Sequence, residues 1–399
     1  MIGVNMLGLN PFEGPSFLVT AYDLTMLTSL VLAILLGVIA LSGKRERSWV
    51  VWLFMLPVLI FGGALLYAVV ARLKYTDYQE IAPAPDATIE RLPIIYDDDG
   101  SPDGTSALLY LLSDPRAEVL AVSVSYGEAH PQVYIQHLGW MLERYGYNAI
   151  PLAAGRDAPL AGSNSFPESV REGSNDFWGF DSGREGELSL VQDSAQLMVK
   201  TIMTSNQPVT LFISGALTNL AQALRLEPGI CENIEAVYIM GGAVYVPGNL
   251  RGLMPDTDNT TAEWNIYADP LAASEAFASG LNLYLVPLDA TNQVLLNHKD
   301  TAAWRKGRNI ADFAADIYDS RMDSWGRDEI EMWDLVTAEL MMNPGHCNFI
   351  PLALEVATAE GDSQGQIRVV DAEPNVNVCL DLDGGLIKQT LVQVFRTRE

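Results

Sequence analysis

Basic residues are scarce in this chain: 24 Lys and Arg stand against 50 Asp and Glu in 399 residues, a net charge of −26. That balance argues against nucleic acid as a partner, and against an anionic lipid surface for the acidic part, because both need a positive patch. Cysteine is scarcer still. Cys231, Cys347 and Cys379 are odd in number and widely spaced, so they form neither a zinc pattern nor a disulfide framework. Each is expected as a small buried apolar side chain. No Lys or Arg precedes the first long hydrophobic run, which excludes the charged start of a cleaved signal peptide. Internal repeats are absent as well.

Two long uncharged runs, 24–43 and 49–71, are present instead. Each is long enough to cross a hydrocarbon core of about 30 Å as a helix. Pro57 and the Gly62-Gly63 pair are tolerable there, where neighbouring groups satisfy the freed backbone. Residues 1–74 are therefore expected to form a two-helix transmembrane hairpin, making this a multi-pass cell-membrane protein. The loop between the runs carries Lys44, Arg45 and Arg47, whereas Glu13 and Asp23 are the only charges before them. The positive-inside rule then puts the loop in the cytoplasm and the rest of the chain outside. Residues 75–90, polar with Ala-Pro-Ala-Pro at their centre, form a linker. Residues 91–399 remain for a large water-soluble domain.

In that domain short β-rich runs alternate with amphipathic stretches. The expected strands are Leu92–Asp97, Val119–Val124, Ala149–Ala153, Val209–Ile213, Ala236–Met240 and Leu283–Pro287. The expected helices include Gly104–Leu112, Pro131–Tyr145, Leu188–Thr204, Leu217–Leu226 and Pro270–Ser279. Several strands are continuously apolar, as strands buried on both faces are. The alternation predicts an α/β domain with a Rossmann-like, mostly parallel central sheet and helices on both faces. Ligands of such sheets sit beyond the carboxyl ends of the strands.

The first strand runs into Asp97-Asp98-Asp99-Gly100-Ser101-Pro102-Asp103-Gly104, with four aspartates in seven residues. One capping Asp is ordinary turn chemistry. Four converging carboxylates repel one another unless a cation or shared protons compensate, which favours a metal site. An EF-hand loop begun at Asp97 fails, because its Gly and Glu positions hold Pro102 and Leu108. Asp97-x-Asp99 also resembles the nucleophile motif of haloacid-dehalogenase-type phosphatases, but no later Lys or acidic pair completes that set. Further candidates follow later strands: Ser214-Gly215-Ala216-Leu217-Thr218-Asn219-Leu220-Ala221, Met240-Gly241-Gly242, Gly248-Asn249, Glu263-Trp264-Asn265, Pro287-Leu288-Asp289-Ala290-Thr291 and Trp333-Asp334. Adjacent glycines admit close backbone approach to a ligand. Asn249, Glu263 and Asn265 suit sugar hydroxyls.

In order and spacing these elements resemble the inosine–uridine-type nucleoside hydrolase family, from about Arg91 nearly to the C-terminus. The resemblance implies cleavage of the N-glycosidic bond of ribonucleosides with a bound Ca²⁺. Asp99 would deprotonate the attacking water, and Asp103 would grip the ribose with Asn249, Glu263, Asn265 and Asp334. Metal ligands would be Asp99, Asp334 and the main-chain oxygen of Ser214. Three departures stand out. The family's last aspartate of the opening motif, a metal ligand, is Gly104 here. Glu128 replaces the usual Asn after the second strand and is expected to reach the space beside Gly104 as a substitute ligand. Trp333 stands where inosine-preferring members carry a proton-donating His; it can stack on a base, and His130 becomes the candidate acid. The aromatics of 154–179 suit either a lid over the site or packing beneath a long loop. The partners expected are a small riboside and, through 24–43 and 49–71, the bilayer, with self-assembly or a place in a membrane complex left open. The competing expectation is a non-catalytic relative that binds ribosides or serves as a structural subunit.

Overall fold

The computed structural model of the chain describes residues 89–180, 192–305 and 309–397. The expected hairpin and linker lie outside these residues; among those described, no helix is long and apolar enough to cross a membrane. The strands are β1 (Leu92–Asp98), β2 (Ala117–Val124), β3 (Leu152–Ala154), β4 (Gln192–Asp193), β5 (Val209–Ile213), β6 (Ile234–Met240), β7 (Leu283–Val286), β8 (Leu295–Asn297), β9 (Glu329–Glu331), β10 (Cys347–Leu352), β11 (Leu354–Val356), β12 (Ile367–Val369) and β13 (Val376–Leu382). Nine of them form one sheet in the order β10-β13-β7-β6-β5-β1-β2-β3-β4. Its pairs are all parallel except the edge pair β10 and β13. The six expected strands are all present, each within a few residues of its expected bounds.

Strand alternation divides the core in two. Ile94 and Tyr96 of β1 belong to one apolar cluster, with helices Pro102–Ser113, Pro131–Arg144, Asn309–Trp325 and Gly384–Arg396. Ile95 of the same strand belongs to the opposite cluster, with helices Ser194–Thr204, Thr218–Leu226 and Pro270–Phe277. Both faces of the sheet are thereby covered, which is why its strands read as unbroken apolar runs. From β1 the chain winds outward through β2, β3 and β4, then returns to the other side of β1 as β5. The strand order therefore reverses between β1 and β5, at whose carboxyl ends a doubly wound sheet leaves a crevice.

One expectation is overturned. Cys347 and Cys379 form a disulfide, with Cα atoms 6.0 Å apart, while Cys231 is free and half-buried. Their separation of 32 residues concealed the pairing. The antiparallel β10–β13 pair, with its irregularity between Cys347 and Phe349, brings them side by side. Replacing both by serine is expected to cost about 2–4 kcal/mol of stability in denaturant titrations. The unfolded, unreduced protein should expose one titratable thiol, and three would show that the bridge does not form.

Candidate active site

The site begins where β1 stops. Ser101 caps the helix that follows: its Oγ accepts from Gly104 N at 2.7 Å, and Pro102 occupies the first turn. The same hydroxyl donates to Asp334 Oδ2 at 2.8 Å, joining this helix start to that of helix Trp333–Met342. Asp334 N donates to Asp103 Oδ2 at 2.7 Å, and the Tyr318 hydroxyl donates to Asp103 Oδ1. Two acids far apart in the chain are thus held at one corner by hydrogen bonds from backbone and hydroxyls.

Asp99 is set between two residues without side chains. A Cβ on Gly127 would stand 2.3 Å from Asp99 Oδ2, and one on Gly215 would stand 2.4 Å from Asp99 Cβ. The turns after β2 and β5 can close on this carboxylate only because both positions are glycine. Ala129 N donates to Asp99 O at 2.8 Å, and Glu128 N to Asp99 Oδ2 at 3.2 Å. Asp99 Oδ1 is buried without a hydrogen-bond partner, as are one oxygen each of Asp97 and Asp98. Asp97 faces the other side of the sheet, where Asn219 Nδ2 donates to it at 2.8 Å.

The ends of β5 and β6 supply the opposite wall. Asn265 Nδ2 donates to Ser214 O at 3.2 Å and to Met240 O at 3.1 Å, stitching these strand ends together. Glu263 Oε2 accepts from Gly242 N at 2.8 Å and from Asn265 N at 2.9 Å, so it both caps helix Trp264–Ala268 and holds the glycine turn. Asn249 Oδ1 accepts from Trp264 N at 3.1 Å. Trp333 packs half-buried against Met240, Ala243 and Leu288, with its indole N–H donating to Asn292 Oδ1 at 2.9 Å.

Burial dominates the electrostatics. It pushes Asp97 up to about 6 and Asp98 up to about 8. It holds Asp99 well above the usual carboxylate range, with the charges of Glu128, Asp98 and Glu263 adding to the rise. Asp334 is raised well above its ordinary value by burial and by Asp103, Asp99 and Asp98. Burial likewise lifts Asp103 and Glu263, and lifts Glu128 to about 7 despite the nearby Arg321 cation. Among the described residues no three His, Cys, Asp or Glu side chains are drawn together tightly enough to grip an ion as they stand. Their donor chemistry nonetheless fits a hard cation: acidic oxygens out of water, two of them unpartnered at Asp98 and Asp99, beside the Ser214 main-chain carbonyl.

Asp99, Asp103, Ser214, Glu263, Asn265 and Asp334 lie near one another: Asp99 feels the charge of Glu263, Asp334 feels those of Asp99 and Asp103, and Asn265 donates to Ser214 O. His130 is engaged elsewhere: its Nδ1 lies 2.6 Å from Asp157 Oδ2 and its Nε2 3.2 Å from Glu168 Oε1. The space beside Gly104 is filled by Asp98 and not by Glu128, because Asp98 shares the strand face on which helix Pro102–Ser113 packs. Glu128 has Ser174 as a hydrogen-bond partner and Asp103 and Arg321 as charged neighbours. The loop aromatics pack: Phe166 stacks on Trp264 at 4.3 Å, and Phe177 is buried among Tyr134, His137 and Phe313. Tyr318 and Arg321 carry no motif and lie on a helix that sequence reading did not delimit. Asp98 was visible as one of the four aspartates of the run, but nothing in the sequence gave it a place apart from the other three.

A doubly wound parallel sheet with buried carboxylates gathered at its switch point defines the fold class, an α/β domain with its candidate site at the carboxyl ends of β1 and β5. Residues 94–389 match the family described as inosine-uridine preferring nucleoside hydrolase, and the chain belongs to that family and is an enzyme of its type. Pyrimidine-specific ribonucleoside hydrolases of Citrobacter koseri and Salmonella agona are 29% and 31% identical over 307 residues, which cover 73% of this chain and 94% of each relative. The inosine-uridine preferring nucleoside hydrolase of Bacillus anthracis superposes with a TM-score of 0.67 at 25% identity, over 76% of this chain and 99% of that one. A plant nucleoside hydrolase shares the fold, with a TM-score of 0.65 at 21% identity over 77% of this chain and 99% of its own.

The raised carboxyls make a prediction for the metal-free protein. Between about pH 4, where carboxyls ionise in the unfolded chain, and about 8, set by Asp98, the folded state holds protons that the unfolded state has released. Their stabilising contribution is complete below that window and is lost as pH rises through it. The Tm of chelator-treated protein should fall by at least about 3 °C from pH 5 to pH 8, and calcium should reverse the fall. A flat or rising Tm would show these carboxyls to be ionised without a cation.

Proposed function

We propose that this chain is a membrane-tethered, Ca²⁺-dependent hydrolase of the N-glycosidic bond of ribonucleosides, with its catalytic domain outside the cytoplasm. The observation that carries the chemistry is Asp99: buried, clasped between Gly127 and Gly215, and left with one unpartnered oxygen at the switch point. Asp99, Asp334 and the Ser214 main-chain oxygen are suited to hold the cation, with Glu128 at its border. Calcium, when bound, supplies positive charge that favours ionised carboxylates and acidifies adjacent water. Asp99 then accepts the proton of the attacking water. Asp103, fixed by Tyr318 and Asp334 N, orients the ribose hydroxyls together with Asn249, Glu263 and Asn265. The surrounding carboxylates stabilise the positive charge that builds on the sugar as the bond to the base breaks. Trp333 offers an aromatic face to the base. His130, whose two ring nitrogens face Asp157 and Glu168, is assigned to holding the adjacent loop and not to proton delivery.

The tether rests on the hydrophobic runs 24–43 and 49–71 and on the positive loop between them. The Cys347–Cys379 bridge supports an oxidising location for the domain.

Release of free ribose from uridine, cytidine and inosine tests the activity; the first two enter because the curated relatives carry that specificity in their names. Turnover is expected with calcium and not with a chelator. Asp99→Asn should lower kcat by about 10²–10⁴-fold while leaving the Tm near that of the parent. No turnover on any riboside, with no calcium bound, would favour the non-catalytic reading. Protease added outside intact cells is expected to cut the domain, and full protection would overturn the topology.

A further inference from the structure

We propose that Asp98 is itself a ligand of the calcium site, and that Gly104 is the residue that makes room for it. The proposal rests on the calcium-dependent reading above and concerns a carboxylate which that reading does not use.

Three observations place Asp98 there. Alternation along β1 sends Ile95 to one face of the sheet and Ile94 and Tyr96 to the other. Asp98 falls in phase with Tyr96, on the face where the helices bearing Gly104 and Asp334 pack. The geometry agrees: a Cβ built on Gly104 would stand 2.0 Å from Asp98 Oδ1 and 2.9 Å from the Tyr96 hydroxyl. Any side chain at 104 would have to displace this carboxylate, so the two positions share one volume. Finally, Asp98 is fully buried, and its Oδ2 has no hydrogen-bond partner.

The neighbours of Asp98 are those of the proposed cation. Its Oδ1 lies 3.4 Å from Ser214 Oγ, on the residue whose main-chain oxygen is a proposed ligand, and Tyr96 OH lies 2.7 Å from that same Oγ. Tyr96 OH also donates to Gly104 O at 2.8 Å, pinning the glycine against the strand. Asp334 and Tyr96 both feel the charge of Asp98. The main-chain N–H groups of Gly100 and Asp99 are also neighbours of its carboxyl group. A carboxylate so placed restores to the site the charge that Gly104 was expected to remove, from the strand and not from the helix. It also leaves Glu128 to Asp103, Ser174 and Arg321.

The competing account is a buried, protonated Asp98 that needs no metal. Asp98→Asn separates the two, because it keeps the size and removes the charge. Calcium content and affinity of the full-length protein in detergent are the readouts, by elemental analysis and titration calorimetry. Asp98→Asn should bind calcium at least about tenfold more weakly than the parent. The swap Asp98→Ala with Gly104→Asp should recover most of that affinity, whereas Gly104→Asp alone should fold poorly. Unchanged affinity in Asp98→Asn overturns the proposal, as does loss of calcium in Glu128→Gln with retention in Asp98→Asn. A crystal of the parent protein soaked in calcium decides independently of how the variants fold. An ion within about 2.6 Å of an Asp98 oxygen supports the assignment, and an ion bound out of its reach overturns it. A parent protein that binds no calcium overturns this proposal and the calcium-dependent reading together; calcium bound without Asp98 overturns this proposal alone.

Discussion

The crowding of buried carboxylates at the carboxyl end of β1 is the constraint around which this domain is arranged. Asp97, Asp98, Asp99, Asp103 and Asp334 are all nearly or wholly out of water. Burying even one ionised carboxyl without compensation is costly, and like charges side by side add to the cost. The structure answers with local devices. Ser101 Oγ, Asp334 N, Tyr318 OH and Asn219 Nδ2 each donate to one of these acids. What these donors leave unmet is a small set of bare oxygens, one each on Asp97, Asp98 and Asp99.

The three successive aspartates separate by strand geometry alone. Asp97 turns to the face carrying Asn219 and serves the fold. Asp98 turns to the opposite face, against Gly104 and the Asp334 helix. Asp99, at the end of the ladder, is clasped between the turns after β2 and β5. Glycines at 104, 127 and 215 are the complement of this arrangement, since each gives its Cβ volume to one of these carboxylates. The wall at the ends of β5 and β6 follows a different rule: Asn265 and Glu263 hydrogen-bond to strand ends and a glycine turn, so their side chains are held in place by the fold itself.

Much of this was legible in the residue pattern. Unbroken apolar runs at β1, β5 and β6 announced strands covered on both faces, and strand–helix alternation announced a parallel sheet. Motif order placed Asp99, Asp103, Ser214, Glu263, Asn265 and Asp334 at strand ends and helix starts. The last third was less legible. β13 alternates only weakly in burial, and helix Asn309–Trp325, which supplies Tyr318, has acids scattered among its apolar positions. The disulfide was missed because cysteine spacing carries no information about an antiparallel pairing across 32 residues.

The acidic run after β1 thus has two levels of meaning. Sequence by itself determined that charge is concentrated at the first strand end of an α/β sheet, because periodicity and turn chemistry are local properties of the chain. Which carboxylate fills the place vacated at Gly104, which acid pairs with which helix start, and whether His130 faces the site or its own loop were decided only in three dimensions. Those choices depend on volumes shared between residues remote in sequence, and no local pattern encodes a shared volume.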